Sequence, residues 1–97
     1  MKYNLTDKLK FDEDPIIVIR DQEIKICSDA EVVLQLLDIM ENESEVAGMM
    51  KAKELLFSKE DQKKIKSLRL KAADYNTFLR AAIDLAIGAD PDEEEGE

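Results

Sequence analysis

The sequence contains no histidine, no tryptophan and a single cysteine, Cys27. Without histidine there is no ordinary general base near neutral pH and no imidazole metal ligand. One cysteine cannot form an internal disulfide or a thiolate zinc cluster. We therefore predict that the chain is not an enzyme and that it has no catalytic residue, no cofactor and no metal site. We interpret Cys27 as a small buried hydrophobic residue at the end of a strand.

Long apolar segments are also absent. No run of apolar residues approaches the ~18 that would suggest a membrane span, and the start, Met1-Lys2-Tyr3-Asn4, lacks the apolar core of a signal peptide. These absences predict a soluble, non-secreted protein of the cytoplasm that has no membrane partner.

The chain has 97 residues, of which 44% are hydrophobic and 38% charged, and its formal net charge is −9. A length of this order predicts one domain. Six of the 23 acidic residues lie in 90–97, so 1–89 carries 14 basic and 17 acidic residues, a net charge of −3. We predict a single α+β domain over 1–89 and a disordered acidic tail over 90–97. Duplex nucleic acid is a poor default partner for such a chain.

The pattern near the N-terminus predicts a β-hairpin. Residues 16–19 are all β-branched, which is typical of a strand, and 23–27 alternates polar and apolar residues, as does a strand with one solvated face. Residues 20–22 would form the loop between them. Because two strands alone are marginally stable in water, helices must cover the apolar face.

Three or four helices are predicted after the hairpin. Ser28 and Glu31 match a capping box at the start of the first helix, and a second helix is expected over 44–57. Ser58 would cap a third helix and Asp74 would cap the last one. Gly88 would end the last helix in a left-handed conformation. We expect the core to include Ile17, Ile19, Ile24, Ile26, Val33, Leu36, Leu37, Phe78, Leu79, Ala82, Ile83 and Ile87.

The first helix has an unusually wide apolar surface over 32–40. This width suggests either a central helix with two neighbours or a helix that reaches a partner protein. The adjacent methionines of the second helix could fill gaps in the core, which we favour, or form an adaptable binding surface. The candidate partner-binding residues are Val32, Leu36, Ile39, Met40, Met49 and Met50.

Basic residues cluster in 59–71, and four of them, Lys59, Lys63, Lys66 and Arg69, are candidates for electrostatic contact. The cluster is either a solvated helix face, which we favour, or a site for an acidic partner or a phosphate backbone. The third and fourth helices could also be a helix-turn-helix. However, a recognition helix needs several polar side chains that reach base edges, and the last helix is mostly apolar and small.

The order of these elements resembles the small tail assembly chaperones of long-tailed bacteriophages and prophages. The similarity spans most of the chain and rests on loose, mostly hydrophobic motifs. They are Ile24-x-Ile26 in the second strand, Ser28-Asp29-Ala30 at the first helix, Leu68-x-Leu70, Asp74-Tyr75-x-x-Phe78 at the last helix, Gly88 and the acidic end.

The resemblance implies a non-enzymatic role in the cytoplasm of a bacterial host. Such proteins bind the aggregation-prone tape-measure protein and help tail-tube subunits assemble around it. No functional residue carries over from the family. Two other functions stay open: a small DNA-binding regulator that uses 59–71, and a structural adaptor that remains in a phage particle. A homo-oligomer is compatible with each of the three.

Overall fold

An antiparallel hairpin followed by four helices confirms the predicted α+β fold. The computed structural model describes residues 1–9 and 13–89. Its elements are a 3₁₀ turn over Thr6–Lys8, β1 over Ile16–Ile19, β2 over Gln22–Lys25, α1 over Ala30–Asn42, α2 over Glu45–Leu56, α3 over Lys59–Leu68 and α4 over Ala72–Ala86. The predicted acidic tail, 90–97, lies outside the described residues, and the domain boundary after residue 89 stays a prediction.

The hairpin has a shorter loop than expected. Ile19 pairs with Gln22, so the loop is Arg20–Asp21, and Arg20 adopts a left-handed φ of 56°. β2 ends at Lys25 rather than at Cys27. The Cys27 N–H points away from β1, as do the outward backbone groups of Glu23 and Lys25, and it donates to the carbonyl oxygen of Leu56 at 2.8 Å. The second strand therefore joins the helical layer through its own backbone.

Two serines begin helices as N-caps. The Ser58 hydroxyl accepts from the Asp61 N–H at 3.1 Å, as the sequence predicted, and Ser44 caps α2 in the same way through the N–H of Ala47. Each such bond satisfies a backbone donor that has no partner inside the helix.

The other two predicted caps are wrong. α1 begins after Asp29, and the Ser28 hydroxyl instead donates to Asp14 Oδ1 at 3.0 Å, so no capping box forms. α4 begins at Ala72 with Lys71 in the cap position. Asp74 lies in the first turn, where its negative charge still interacts favourably with the helix dipole.

The core lies between the inner face of the hairpin, one side of α1, and α2, α3 and α4. The Phe57 and Phe78 rings stack in it with centroids 5.5 Å apart. The buried apolar residues are Ile24, Ile26, Leu36, Ala52, Leu56, Phe57, Ile65, Phe78, Leu79, Ala82 and Ala86. Of the other predicted core residues, Ile17, Ile19, Val33 and Ile83 are half-buried and pack against this set.

The core prediction is wrong for Leu37 and Ile87, which are 46% and 45% exposed. α1 packs chiefly against α2, so only the side of α1 that carries Leu36 is fully buried. Ile87 follows the last turn of α4, just before Gly88, whose φ of 91° confirms the predicted left-handed stop. The exposed apolar side of α1 excludes a central position for this helix.

Two neighbouring leucines of α1 test this arrangement. We expect Leu36→Ala to lower the free energy of unfolding by about 2–5 kcal/mol, because it leaves a cavity in a closed core. The matched variant Leu37→Ala should cost less than about 1 kcal/mol, because its side chain is largely solvated. Urea denaturation followed by circular dichroism measures both values, and equal losses would contradict the described packing of α1.

Candidate functional site

A groove lies where α1 turns into α2. α1 ends at Asn42 and α2 begins at Glu45, so the two helices form a tight pair. Between them is a cavity of about 360 Å³. Its lining residues are Ile39, Met40, Glu43, Ser44, Glu45, Gly48, Met49, Ala52 and Ile83. We call this cavity the α1–α2 groove.

Only three of the six predicted partner-binding residues come together in the structure. Ile39, Met40 and Met49 meet in the α1–α2 groove. Leu36 is fully buried in the core and is not available to a partner, which corrects its assignment. Val32 and Met50 do not line the groove: Val32 packs against the core, and Met50 is exposed on α2.

The floor and rim of the groove include residues that were not among the six predicted partner-binding residues. At the floor, Gly48 has no side chain, and a Cβ there would lie 3.6 Å from Ile39 Cγ2. The rim carries Glu43 and Glu45, and Glu43 pairs with Lys51 at 2.8 Å. The groove is thus apolar inside and acidic at one end.

Other apolar side chains of α1 and α2 are also exposed. The large ones are Leu34, Leu37, Met40, Val46 and Met50. Leu37 and Val46 each lie three residues from a groove residue of the same helix, whereas Leu34 lies on a different side of α1 from Met40. Scattered exposed hydrophobic residues are normal, but several on two neighbouring helices next to an apolar groove are characteristic of interaction sites. Methionine is flexible and polarisable, so it adapts to differently shaped partners.

A second, larger cavity of about 510 Å³ lies between α2, α3 and the start of α4. All four predicted electrostatic-contact residues, Lys59, Lys63, Lys66 and Arg69, line it, and Lys53 of α2 joins them. Glu54 is its one acidic lining residue, so the lining carries a formal charge of +4. We call this cavity the basic cleft.

The base of the basic cleft is partly apolar, with Ile65, Leu70 and Tyr75 among its lining residues. Burial raises the pKa of Tyr75 above its ordinary value, so its phenol, which is protonated at neutral pH in any case, keeps its proton to higher pH. Sequence reasoning missed Lys53 and Tyr75 because they belong to helices on either side of α3. The remaining cations of the cluster, Lys64 and Lys71, do not line the cleft.

Cys27 lies at the junction of the hairpin with α2 and is half-buried. Burial raises the pKa of its thiol, and the negative charges of Asp14, Asp29 and Asp61 raise it further. The thiolate is the nucleophilic form of cysteine. A raised pKa therefore lowers the reactive fraction at neutral pH.

Within 1–9 and 13–89, no three His, Cys, Asp or Glu side chains are grouped so that they could hold a metal ion. Over the same residues, no helix combines the length and apolar character that crossing a membrane requires. Comparisons with protein-family models, with curated proteins and with solved structures found no match to this chain.

The Cys27 environment predicts slow alkylation. At pH 7.5 we expect iodoacetamide to modify the folded protein at least about threefold more slowly than the urea-unfolded chain. Asp14→Asn should speed the reaction of the folded protein, because it removes a nearby negative charge and keeps the oxygen that accepts from Ser28. Asp38→Asn serves as the control at a distant position. Mass spectrometry gives the rates, and equal rates in the folded and unfolded states would contradict the raised pKa.

Proposed function

We propose that this chain is a non-enzymatic protein-binding module that acts as a tail assembly chaperone of a long-tailed phage or prophage. In this proposal the α1–α2 groove holds an amphipathic helical segment of the tape-measure protein during tail assembly in the bacterial cytoplasm. The observation that carries the proposal is the groove itself, where Ile39, Met40 and Met49 converge on Ile83.

The chemistry of the groove indicates the kind of segment that it would bind. Helix-in-groove recognition places the apolar residues of one helix face in a hydrophobic groove. The exposed Leu37 and Val46 next to the groove would extend the contact beyond the cavity. Glu43 and Glu45 at the rim favour a segment with Lys or Arg beside its apolar stripe.

The charge of the chain supports the same role. A client that aggregates through apolar segments stays dispersed when its carrier has a large net charge, because like-charged complexes repel one another. The chain carries −9 overall. Its negative charge is concentrated in 90–97, so this segment would contribute most to the solubility of the complex.

Co-expression with the tape-measure protein of the same phage or prophage tests the proposal. We expect the soluble fraction of that client to rise when this protein is present, and Met40→Lys to abolish most of the gain by placing a positive charge in the groove. Leu34→Lys is the matched control, because it changes an exposed apolar residue of α1 outside the groove. A client that is equally insoluble with and without this protein would overturn the proposal.

The basic cleft supports a second candidate, a small nucleic-acid-binding regulator. Five cations around one cavity could hold phosphates. Two features favour the chaperone: the cleft is a concave site with apolar residues at its base, and the net charge of −9 repels a polyanion that continues beyond the cleft.

Fluorescence anisotropy with labelled duplex DNA at low and moderate salt separates the two candidates. We expect no binding at about 10 µM protein in moderate salt, because affinity for DNA rests on net neutralisation of phosphates. Salt-sensitive binding that Lys63→Glu abolishes would establish the regulator instead. Lys71→Glu is the control, since Lys71 belongs to the same sequence cluster and does not line the cleft.

A further inference from the structure

The outer edge of β1 has no hydrogen-bond partner among the described residues. The Ile26 N–H donates to the carbonyl oxygen of Pro15, and hydrogen-bonded pairs alternate along an antiparallel ladder. Ile17 and Ile19 therefore direct their backbone groups toward β2. Ile16 and Val18 direct theirs outward, and no bond within 1–9 and 13–89 satisfies these groups.

The outer edge of β2 is different, because α3 satisfies it. The Lys25 N–H donates to Asp61 Oδ2 at 3.1 Å, and Lys64 Nζ donates to the carbonyl oxygen of Glu23 at 3.0 Å. Side chains thus take the place of a third strand on this side of the hairpin. Within 1–9 and 13–89, one edge of the sheet is satisfied by side chains, and the other edge has no partner.

The side chains of β1 also favour pairing with another strand. Ile16 is 49% exposed and Val18 is 62% exposed, and both lie on the solvent face of the hairpin. Natural edge strands usually carry charges or proline that prevent pairing with another chain. β1 has neither within Ile16–Ile19. An open backbone edge that carries exposed β-branched residues is a template for strand addition.

We propose that β1 pairs with β1 of a second copy of this chain to form a continuous four-stranded antiparallel sheet. In the register that we infer, Ile16 of each copy lies opposite Val18 of the other, and the two-fold axis passes between the two Ile17 residues. Each Ile16–Val18 pair exchanges two backbone hydrogen bonds, because both residues direct these groups outward. This inference does not depend on the proposed function.

Charge complementarity supports a second copy in this register. When Ile16 lies opposite Val18, Asp14 and Arg20 lie just beyond the two ends of the paired segment, so the acidic end of each β1 adjoins the basic end of the other. This complementary arrangement of charges favours a second copy in this orientation. A shift that places Val18 opposite Val18 would bring Arg20, which is left-handed, into the ladder and interrupt it. The inferred register keeps the contact within the extended residues of β1.

The proposed interface accounts for two exposed side chains of β1 and sets the strength of the dimer. The Ile16 and Val18 side chains of the two copies would form one apolar cluster on the outer face of the sheet, which accounts for their exposure in a single copy. Four hydrogen bonds and four apolar side chains make an interface smaller than the ~1,200 Å² of stable complexes, so the dimer should be weak and reversible.

Sedimentation velocity of the full chain tests the dimer. From about 10 µM to about 1 mM, we expect the weight-average mass to rise from monomer toward dimer. Val18→Lys should weaken the dimer at least about tenfold, because it places a charge in the apolar cluster. Val46→Lys, a substitution of an exposed valine of α2, should leave it unchanged. A monomer throughout this range, a dimer insensitive to Val18→Lys, or equal loss in both variants would overturn the proposal.

Cysteine cross-linking tests the register and remains informative if Val18→Lys fails to fold. In a Cys27→Ala background, the Ile16→Cys and Val18→Cys variants are mixed under mild oxidation, and mass spectrometry distinguishes the mixed dimer from the two homodimers. We expect the mixed dimer to exceed both homodimers, because residue 16 faces residue 18 of the second copy. An excess of either homodimer, or no preference, would exclude the inferred pairing.

Discussion

Two side chains of α3 bond to the outer edge of β2 and bring the hairpin into the fold. Asp61 accepts from the backbone N–H of Lys25, and Lys64 donates to the carbonyl oxygen of Glu23. A two-stranded hairpin is marginal in water, because it has only one ladder and little buried surface. The contact with α3 satisfies the edge and presses the apolar face of β2 against the helices, where Ile24 is fully buried. Through Ile24 and Ile26, the hairpin contributes two fully buried side chains to the described core.

The same contact determines which way the basic face of α3 points. At 3.6 residues per turn, Lys59, Lys63 and Lys66 lie on the side of the helix opposite Asp61 and Lys64. Once one side is held against β2, the lysine side must face away from the hairpin, toward α2 and the start of α4. The basic cleft is therefore a consequence of how α3 supports the sheet.

A chain of this size also leaves apolar surface uncovered. A short domain buries a smaller fraction of its surface than a large one does, and α1 lies at the margin of the helical layer against α2. The exposed side of α1 and the α1–α2 groove follow from this position. The open edge of β1 has the same origin, because no described element is left to cover it. The two apolar binding surfaces proposed for this protein lie where the core ends.

Much of the fold was predictable from local patterns. The β-branched run 16–19 indicated β1, and Ser58 and Gly88 marked helix ends through local backbone chemistry. The capping box at Ser28 failed because Asp14, distant in sequence, binds the Ser28 hydroxyl. Leu37 was assigned to the core because it lies four residues after Val33 and three before Met40, in one apolar stripe. Spacing alone does not reveal how many neighbours a helix has.

The candidate sites, like the fold, were only partly predictable from the sequence. The spacing of Lys59, Lys63 and Lys66 placed them on one helix face, but the addition of Lys53 and Tyr75 required the packing of three helices. The sequence by itself determined most of the elements, the lack of histidine and the segregation of charge, because these depend on residue type and short-range spacing. Only the tertiary structure decided which apolar and charged faces are covered, because burial depends on neighbours that are remote along the chain.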